Sequence, residues 1–212
     1  LEEDSAVEGS ESATQPASSG DPVRRRLALR LARPTLLLVG VTLAGGALIT
    51  FAPQMSSSPL ATAGGLVLLT VTAAVSRWRI GTLADRYGIA PFLWPLVLLT
   101  VIGLVLTALA VQDRGGTQVF LFLGAMALVG VTYGGLQNLT LLLALAAARR
   151  NEYGAASAVW NVGFDAGMGI GAILVGAIAT GFSFPVALLV AAAISLATLP
   201  LAITRRRQAP SR

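Results

Sequence analysis

Long apolar runs separated by short polar segments make up most of the chain. Six of them are long enough to cross the roughly 30 Å hydrocarbon core of a bilayer as helices. They lie at about 34–55, 58–76, 91–111, 118–148, 153–180 and 184–204. None alternates apolar and polar residues with the two-residue period of a barrel strand. The pattern predicts an all-α membrane protein with six transmembrane helices, in which neighbours along the chain are antiparallel because the connections are short.

The two ends of the chain differ from this apolar part. Residues 1–33 are rich in Ser, Glu, Ala, Gly and Pro and contain few large apolar side chains. They are predicted to form a disordered cytoplasmic linker. Residues 205–212 form a basic tail. Because the chain begins with Leu1 rather than Met, a processed or truncated product is expected.

The arginines determine the predicted orientation. Lys and Arg near the ends of membrane helices are retained on the cytoplasmic side. With residues 1–33 inside, six spans place every basic residue except Arg114 on that side. We therefore expect a multi-pass protein with both termini in the cytoplasm. The use of Arg without Lys, together with abundant Ala and Gly, favours a GC-rich bacterial genome and hence a bacterial cytoplasmic (inner) membrane.

Composition narrows the possible chemistry. Of 212 residues, 55% are hydrophobic and 12% are charged, and the mean hydropathy is +0.75. The chain has no Cys and no His, which excludes disulfides, thiolate or imidazole metal sites and His-dependent nucleophiles. Enzymatic activity, a metal site and a bound cofactor are therefore not expected. The net charge of +5 does not indicate nucleic-acid binding, because the arginines stand between apolar runs and form no patch with aromatic residues.

The third, fourth and sixth runs differ in polarity. The third and sixth are apolar around their whole circumference, so we expect them to be peripheral and to face lipid. The fourth carries Tyr133, Gln137 and Asn138 from its middle toward its cytoplasmic half. Polar side chains at that depth are expected to face protein or a water-filled cavity. For Gln137 and Asn138, hydrogen bonds between helices are slightly favoured over contact with a ligand.

The fifth run has two distinct faces. Asn161 and Asp165 lie one turn apart on one side. About 160° around the helix from Asp165 lies a small-xxx-small ridge, which suits close packing on another helix. The ridge consists of Gly163, Gly167 and Gly171. This geometry predicts a helix wedged between a close neighbour and a polar interior.

Asp165 lies near the middle of its span, where an acid costs about 3 kcal/mol on insertion scales. It is interpreted as a carboxylate that couples transport to a proton or cation, or as a substrate contact. The alternative is a structural carboxylate satisfied by Asn161, by the backbone or by a partner helix. Trp160 is a candidate for lining a substrate cavity, although a single Trp in a span more often serves packing or the membrane interface.

Between the second and third spans the sequence reads RWRIGTLADRYG, which we predict to be a cytoplasmic loop. Its residue types can latch one conformation and release in another, because glycines allow close backbone approach, a carboxylate accepts from helix N-terminal amides, and arginines pair with carboxylates. The ordered match resembles the G-x-L-A-D-R-x-G signature of the major facilitator superfamily. The residues of this motif are Arg77, Arg79, Gly81, Asp85, Arg86 and Gly88.

The resemblance covers about 34–204 and implies one half of a twelve-helix transporter. Six spans that follow a long linker fit the C-terminal half, with an N-terminal six-helix half missing. The stretches GGLQNLTLL and ASAVWNVGFDAGMGIGA are similar to bacterial drug or sugar efflux permeases. In such a half the first and fourth helices line the cavity, the second and fifth meet the other half, and the third and sixth are outermost.

The resemblance also implies a function. We expect a proton-coupled secondary transporter that exports a small organic solute by alternating access. Its partners are the lipid bilayer, the solute and the missing half, and its energy source is a proton gradient. Two alternatives stay open. One is a complete six-helix homodimeric transporter or channel; the other is a non-transport membrane scaffold, against which polar residues at mid-depth argue.

Overall fold

The computed structural model describes residues 22–56, 58–112 and 118–203. Nearly all of these residues are helical, and six of the helices are long and apolar enough to cross a membrane. The helices are α1 (Pro22–Met55), α2 (Pro59–Tyr87), α3 (Ala90–Gln112), α4 (Gln118–Ala147), α5 (Tyr153–Gly181), α6 (Phe184–Ala197) and the short α7 (Leu199–Ile203). No strand occurs within the described ranges. The predicted all-α fold with six spans is confirmed.

The ends of α2 show how local sequence sets helix boundaries. The hydroxyl of Ser58 accepts a hydrogen bond from Ala61 N at 3.3 Å and caps the first turn. Pro59 stands at the first helical position, where its missing N–H has no intrahelical partner to lose. At the other end Gly88 has a φ of 82°, and its N–H donates to Ala84 O at 2.8 Å. Glycine adopts that left-handed conformation without steric cost, so the helix stops there.

The predicted disorder of residues 1–33 is wrong for its last third. α1 begins at Pro22, so residues 22–33 are helical. This segment consists largely of Arg, Leu and Ala, which favour helix, and proline is well tolerated at a first helical position. Leu31 is buried, and Arg30 bonds to the start of α5. Docking on the bundle therefore adds to the intrinsic helix propensity.

The RWRIGTLADRYG segment was also predicted incorrectly as a loop. α2 continues through it to Tyr87, so the motif occupies the last three turns of a helix. Arg, Leu and Ala again favour helix, and Asn138 of α4 donates through Nδ2 to Arg77 O at 2.9 Å. A methyl group at Gly81 would lie 3.0 Å from the same Nδ2 atom. The missing side chain at Gly81 therefore lets α4 come close, and the loop itself shortens to two residues.

The predicted sixth span is continuous, whereas the helix breaks after Ala197 and resumes as α7. Pro200 explains the break, because proline has no N–H and its ring clashes with the carbonyl four residues earlier. Some predictions fall outside the described residues. They concern most of the linker (1–21), the connection with Arg114 (113–117) and the basic tail (204–212).

The bundle is centred on α1 and α4. In these two helices 67% and 56% of the most apolar window is buried by the rest of the chain, compared with 22% in both α2 and α5. α5 packs along α1, α2 packs along α4, and α3 packs on α6. The helices α1 to α3 thus have counterparts in α4 to α6, as in the inverted repeats of secondary transporters.

Candidate functional site

α2 and α5 each present an apolar face that the described part of the chain does not cover. On α5 the face includes Val162 and Ile173, which are 68% and 75% exposed. On α2 it includes Leu60 and Val67. Apolar area on this scale requires lipid or another protein surface around it. A polar group on one of these faces needs a partner or a water-filled cavity, because lipid offers it no hydrogen bonds.

Asp165 lies on the exposed side of α5, close to the middle of the helix. Among the described residues its carboxylate has no hydrogen-bond or ion-pair partner. Asn161, one turn earlier, does not satisfy it, because Asn161 Nδ2 donates to Ser157 O at 2.9 Å. The described helices therefore offer no structural partner for this acid.

Three aromatic side chains form a row beside Asp165 and join α5 to α4; we call Trp160, Phe164 and Tyr133 the aromatic row. Trp160 stacks on Phe164 with ring centroids 5.7 Å apart. Phe164 meets Tyr133 at 6.3 Å. Trp160 is buried, and its Nε1 donates to Thr140 Oγ1 of α4 at 3.1 Å. The row is thus fixed at one end by a hydrogen bond and continues toward the centre of the bundle.

The other end of the row crosses α1 at a pair of glycines. A methyl group at Gly45 would overlap the ring of Tyr133, and one at Gly46 would overlap the backbone of Met168. The Tyr133 hydroxyl donates to the sulfur of Met168 at 3.2 Å. α1, α4 and α5 therefore meet at one level, and only glycine leaves enough room there.

Asp165 and Gln137 lie at about the same depth. Asp165 precedes Met168 by three residues, and Gln137 follows Tyr133 by four, which correspond to shifts of about 4.5 and 6 Å along the two helices. α4 and α5 run in opposite directions, so both shifts point toward the arginine-rich end of the bundle. Since Tyr133 contacts Met168, the two polar side chains flank the aromatic row at similar depth, and we group them as the candidate site.

A polar cluster joins α2 to α4 at this depth. Arg77 donates through Nη2 to Gln137 Oε1, and Asn138 Nδ2 donates to the Arg77 carbonyl. Gln137 is only 4% exposed, and its Nε2 has no hydrogen-bond partner within the described part of the chain. Both amides of α4 therefore bond to α2, and one buried donor is left over.

The other charged residues of the motif, Arg79, Asp85 and Arg86, are exposed. Arg79 and Arg86 each lie over the ring of a neighbouring aromatic residue, at 5.5 and 5.4 Å from its centroid. Asp85 is exposed, and no described residue bonds to it. Gly88 lines a cleft of about 710 Å³ beside Arg30 of α1. The latch that the motif predicts is therefore not closed within the described residues.

The three glycines predicted as a packing ridge on α5 face α1. They are Gly163, Gly167 and Gly171, and all are buried. A methyl group at Gly163 would lie 2.8 Å from Thr35 Cγ2, and methyl groups at the other two would overlap Thr42 and Leu43. The ridge thus brings two backbones together and keeps the opposite side of α5 free.

Sequence reasoning missed Phe164, Met168 and Gly45. For the first two a signal was present, because Trp160, Phe164 and Met168 recur every four residues and so share one stripe of a helix. Gly45 gives no such signal. It is required by the ring of Tyr133, which lies on another helix.

The family model described as Major Facilitator Superfamily matches residues 36–212, and thus covers all six spans. A search of curated proteins finds none that matches the chain.

Proposed function

The chain belongs to the Major Facilitator Superfamily, a family of multi-pass membrane transporters, and from that premise we propose that it forms the C-terminal half of a proton-coupled exporter. In this proposal a small organic solute is carried by alternating access between two six-helix halves. The transporter lies in a bacterial cytoplasmic membrane with both ends of this chain inside. The similarity of two stretches of α4 and α5 to efflux permeases supports the export direction.

The uncovered faces of α2 and α5 support a partner half. Only 22% of the apolar window of each is buried within the chain, although both lie beside the best-buried helices. A partner that packs on them removes this apolar area from its surroundings. α2 and α5 occupy equivalent positions in the inverted repeat, so a partner half of the same architecture meets both.

Proton coupling rests on one observation, the placement of Asp165. An ionisable side chain within a membrane span is a functional group by default, because it is costly there and needs a reason to persist. Asp165 has no partner among the described residues. It follows Phe164 directly and is therefore about 100° around α5 from the aromatic row. Protonation changes the charge of the site here without breaking any contact between helices.

The substitution Asp165→Asn in the full-length transporter tests this role. Asparagine keeps the shape of the side chain but cannot exchange a proton at neutral pH. We expect solute-driven proton movement across proteoliposomes, followed with a pH-sensitive dye, to be abolished at unchanged protein yield. Thr180→Val is the matched control, because Thr180 is an exposed polar residue of α5 that bonds only within its own helix. Proton movement that persists in Asp165→Asn eliminates the proposed role.

A homodimer of six-helix chains is the second candidate function, and the equivalence of α2 and α5 favours it. Two copies can cover each other's exposed faces, as the two halves do in the first proposal. The mass of the purified complex in detergent separates the two candidates. A symmetric dimer of this chain supports the second, and a single polypeptide with twelve spans supports the first.

A further inference from the structure

Arg77 has a contact that its place near the cytoplasmic end of α2 does not require. A basic side chain at a helix end usually extends to the membrane surface. Arg77 instead turns onto α4 and donates to Gln137 Oε1. It has no carboxylate partner among the described residues. Arg77 is exposed, and its uncompensated guanidinium leaves positive charge at the wall of the site where it reaches α4.

Gln137 adds a second donor. Arg77 binds Oε1 of Gln137, so Nε2 of the same amide points away from α2. The flipped amide would place its N–H groups against the guanidinium of Arg77. Nε2 is buried and has no hydrogen-bond partner in the described part of the chain. Buried polar groups are almost always paired, and leaving one unpaired is costly. Such a donor is therefore available to an acceptor from outside the described part of the chain.

Tyr133 connects these donors to an apolar wall. It stands one turn before Gln137 on the same side of α4, and its ring begins the aromatic row that continues through Phe164 to Trp160. The site thus offers two donors, one of them cationic, at one end and stacked rings at the other. This arrangement is complementary to an acid with a flat or bulky apolar body.

We infer that the transported solute is a small organic anion, whose carboxylate or similar oxyanion is bound by Arg77 and Gln137 and whose apolar body lies on the aromatic row. The inference rests on the proposed transport function, because it takes the solute to occupy this site. It specifies the solute class and leaves the coupling ion to Asp165. A guanidinium and an amide N–H side by side match the two oxygens of a carboxylate.

Binding of three matched probes to the full-length protein in lipid nanodiscs tests the inference. Benzoate, benzamide and benzylammonium share one ring and differ in charge, and titration by saturation-transfer NMR measures their affinities without any transport step. We expect benzoate to bind in the millimolar range or tighter, at least about tenfold more tightly than benzamide because its hydrogen bonds are charge-assisted. Benzylammonium is expected to bind most weakly.

Variants test whether the preference for benzoate comes from Arg77 and Gln137. Arg77→Gln should reduce benzoate affinity by about tenfold and leave benzamide within about twofold, while Arg77→Lys should retain part of the preference. Gln137→Leu should weaken benzoate severalfold, because it removes the second donor and keeps the volume. Arg150→Gln is the matched control, since it removes an exposed cytoplasmic-side arginine that lies outside the site.

Three results overturn the inference. One is benzoate binding that is absent in the millimolar range, the second is equal or tighter binding of benzamide or benzylammonium, and the third is an unchanged preference in Arg77→Gln. None of them depends on proton movement. A charge preference that survives in Asp165→Asn while proton movement also survives would defeat the proposed coupling and leave the anion site standing. Intact proton coupling without a preference for benzoate would defeat the anion site and leave the proposed coupling standing.

Discussion

Two helix pairs occupy equivalent positions in the bundle, α5 on α1 and α2 on α4, and they are held together differently. Both use glycines to bring backbones close. Methyl groups at Gly167 and Gly171 would overlap α1, and methyl groups at Gly130 and Gly134 would overlap α2. The shape of the contact is therefore shared, and the difference lies in hydrogen bonding.

Hydrogen bonds from side chains link α2 to α4 along the membrane-spanning part. Thr72 Oγ1 donates to Ala127 O at 2.9 Å, and Ser76 Oγ donates to Val131 O at 2.6 Å. Arg77 continues this series. Within the described residues, no side chain of α5 bonds to α1, and Thr42 at the centre of that contact donates to its own helix at Leu38 O. The α1–α5 pair thus relies on close packing alone through the membrane.

This difference suggests which helix moves. A helix that rests on a smooth glycine surface can shift without breaking hydrogen bonds, whereas a helix tied by several directional bonds cannot. We therefore expect α5, which carries Asp165, to move relative to α1 while α2 stays with α4. Three predictions test this comparison, from the largest effect to the smallest.

The largest effect is expected from filling the glycine contacts. Gly134→Leu forces a side chain into the carbonyl of Ala73, and Gly171→Leu does the same at Leu43. Overpacking of this kind typically costs 1–3 kcal/mol, and here we expect about 3 kcal/mol in each pair because the neighbour is backbone and cannot rotate away. Thermal unfolding of the full-length protein in mild detergent measures the loss.

A matched control is available on α4. Gly124 has open space where a side chain would go. Leucine there is expected to leave the melting temperature unchanged or slightly raised, because leucine has the higher helix propensity. If the leucine variants at 124 and 134 melt alike, the close approach of α2 to α4 is not needed for stability.

The fold was more predictable than its helix ends. Six spans could be read directly because a bilayer requires about 20 apolar residues in each crossing. The polar segments at 22–33 and 77–87 were harder, because their helices are completed by distant contacts. Asn138, which bonds to the backbone of Arg77, is 61 residues away along the chain. A pattern within one segment contains no information about such a partner.

The site was predictable only where its residues stood out from an apolar background. Asp165 and Gln137 did so, because each is polar in an otherwise apolar run. Phe164 and Gly45 did not, because an aromatic ring and a glycine are ordinary in a membrane helix. What makes them part of the site is a contact across helices, Phe164 with Tyr133 and Gly45 with the same ring. The contact of Arg77 with Gln137 was hidden for the same reason.

An intermediate effect is expected from the hydrogen bonds that only one pair has. Ser76→Ala removes the donor to Val131 O and should destabilise the protein by about 0.6–1 kcal/mol, the usual size for such bonds between membrane helices. Thr42→Val in the α1–α5 contact keeps the shape and loses a hydroxyl that bonds only within α1, so we expect almost no change. Chemical unfolding in mixed micelles provides the comparison, and equal losses would contradict the proposed difference between the pairs.

The smallest effect on stability is expected at the cytoplasmic end, where α1 and the start of α5 are tied. Arg30 Nη2 lies 3.0 Å from Glu152 Oε2, and the Arg30 side chain is about a third exposed. Such a solvent-accessible pair adds little to stability, and salt screens it. Glu152→Gln keeps an oxygen for the Arg149 N–H and removes the charge, and Arg26→Gln, a neighbouring exposed arginine, is the control.

Glu152→Gln should change local motion, measured by amide hydrogen exchange, more clearly than it changes the free energy of unfolding. The ion pair is the polar tie between α1 and the beginning of α5 within the described residues, so breaking it frees the first turns of α5 while the glycine contact still holds the rest. Amide hydrogen exchange should therefore accelerate in the first two turns of α5 and stay unchanged in α2, whose bonds to α4 are intact. High salt should reproduce this acceleration in the wild type and add nothing in the variant. Equal acceleration in α2 and α5 would mean that the whole bundle loosens together, and the two pairs would then be held alike.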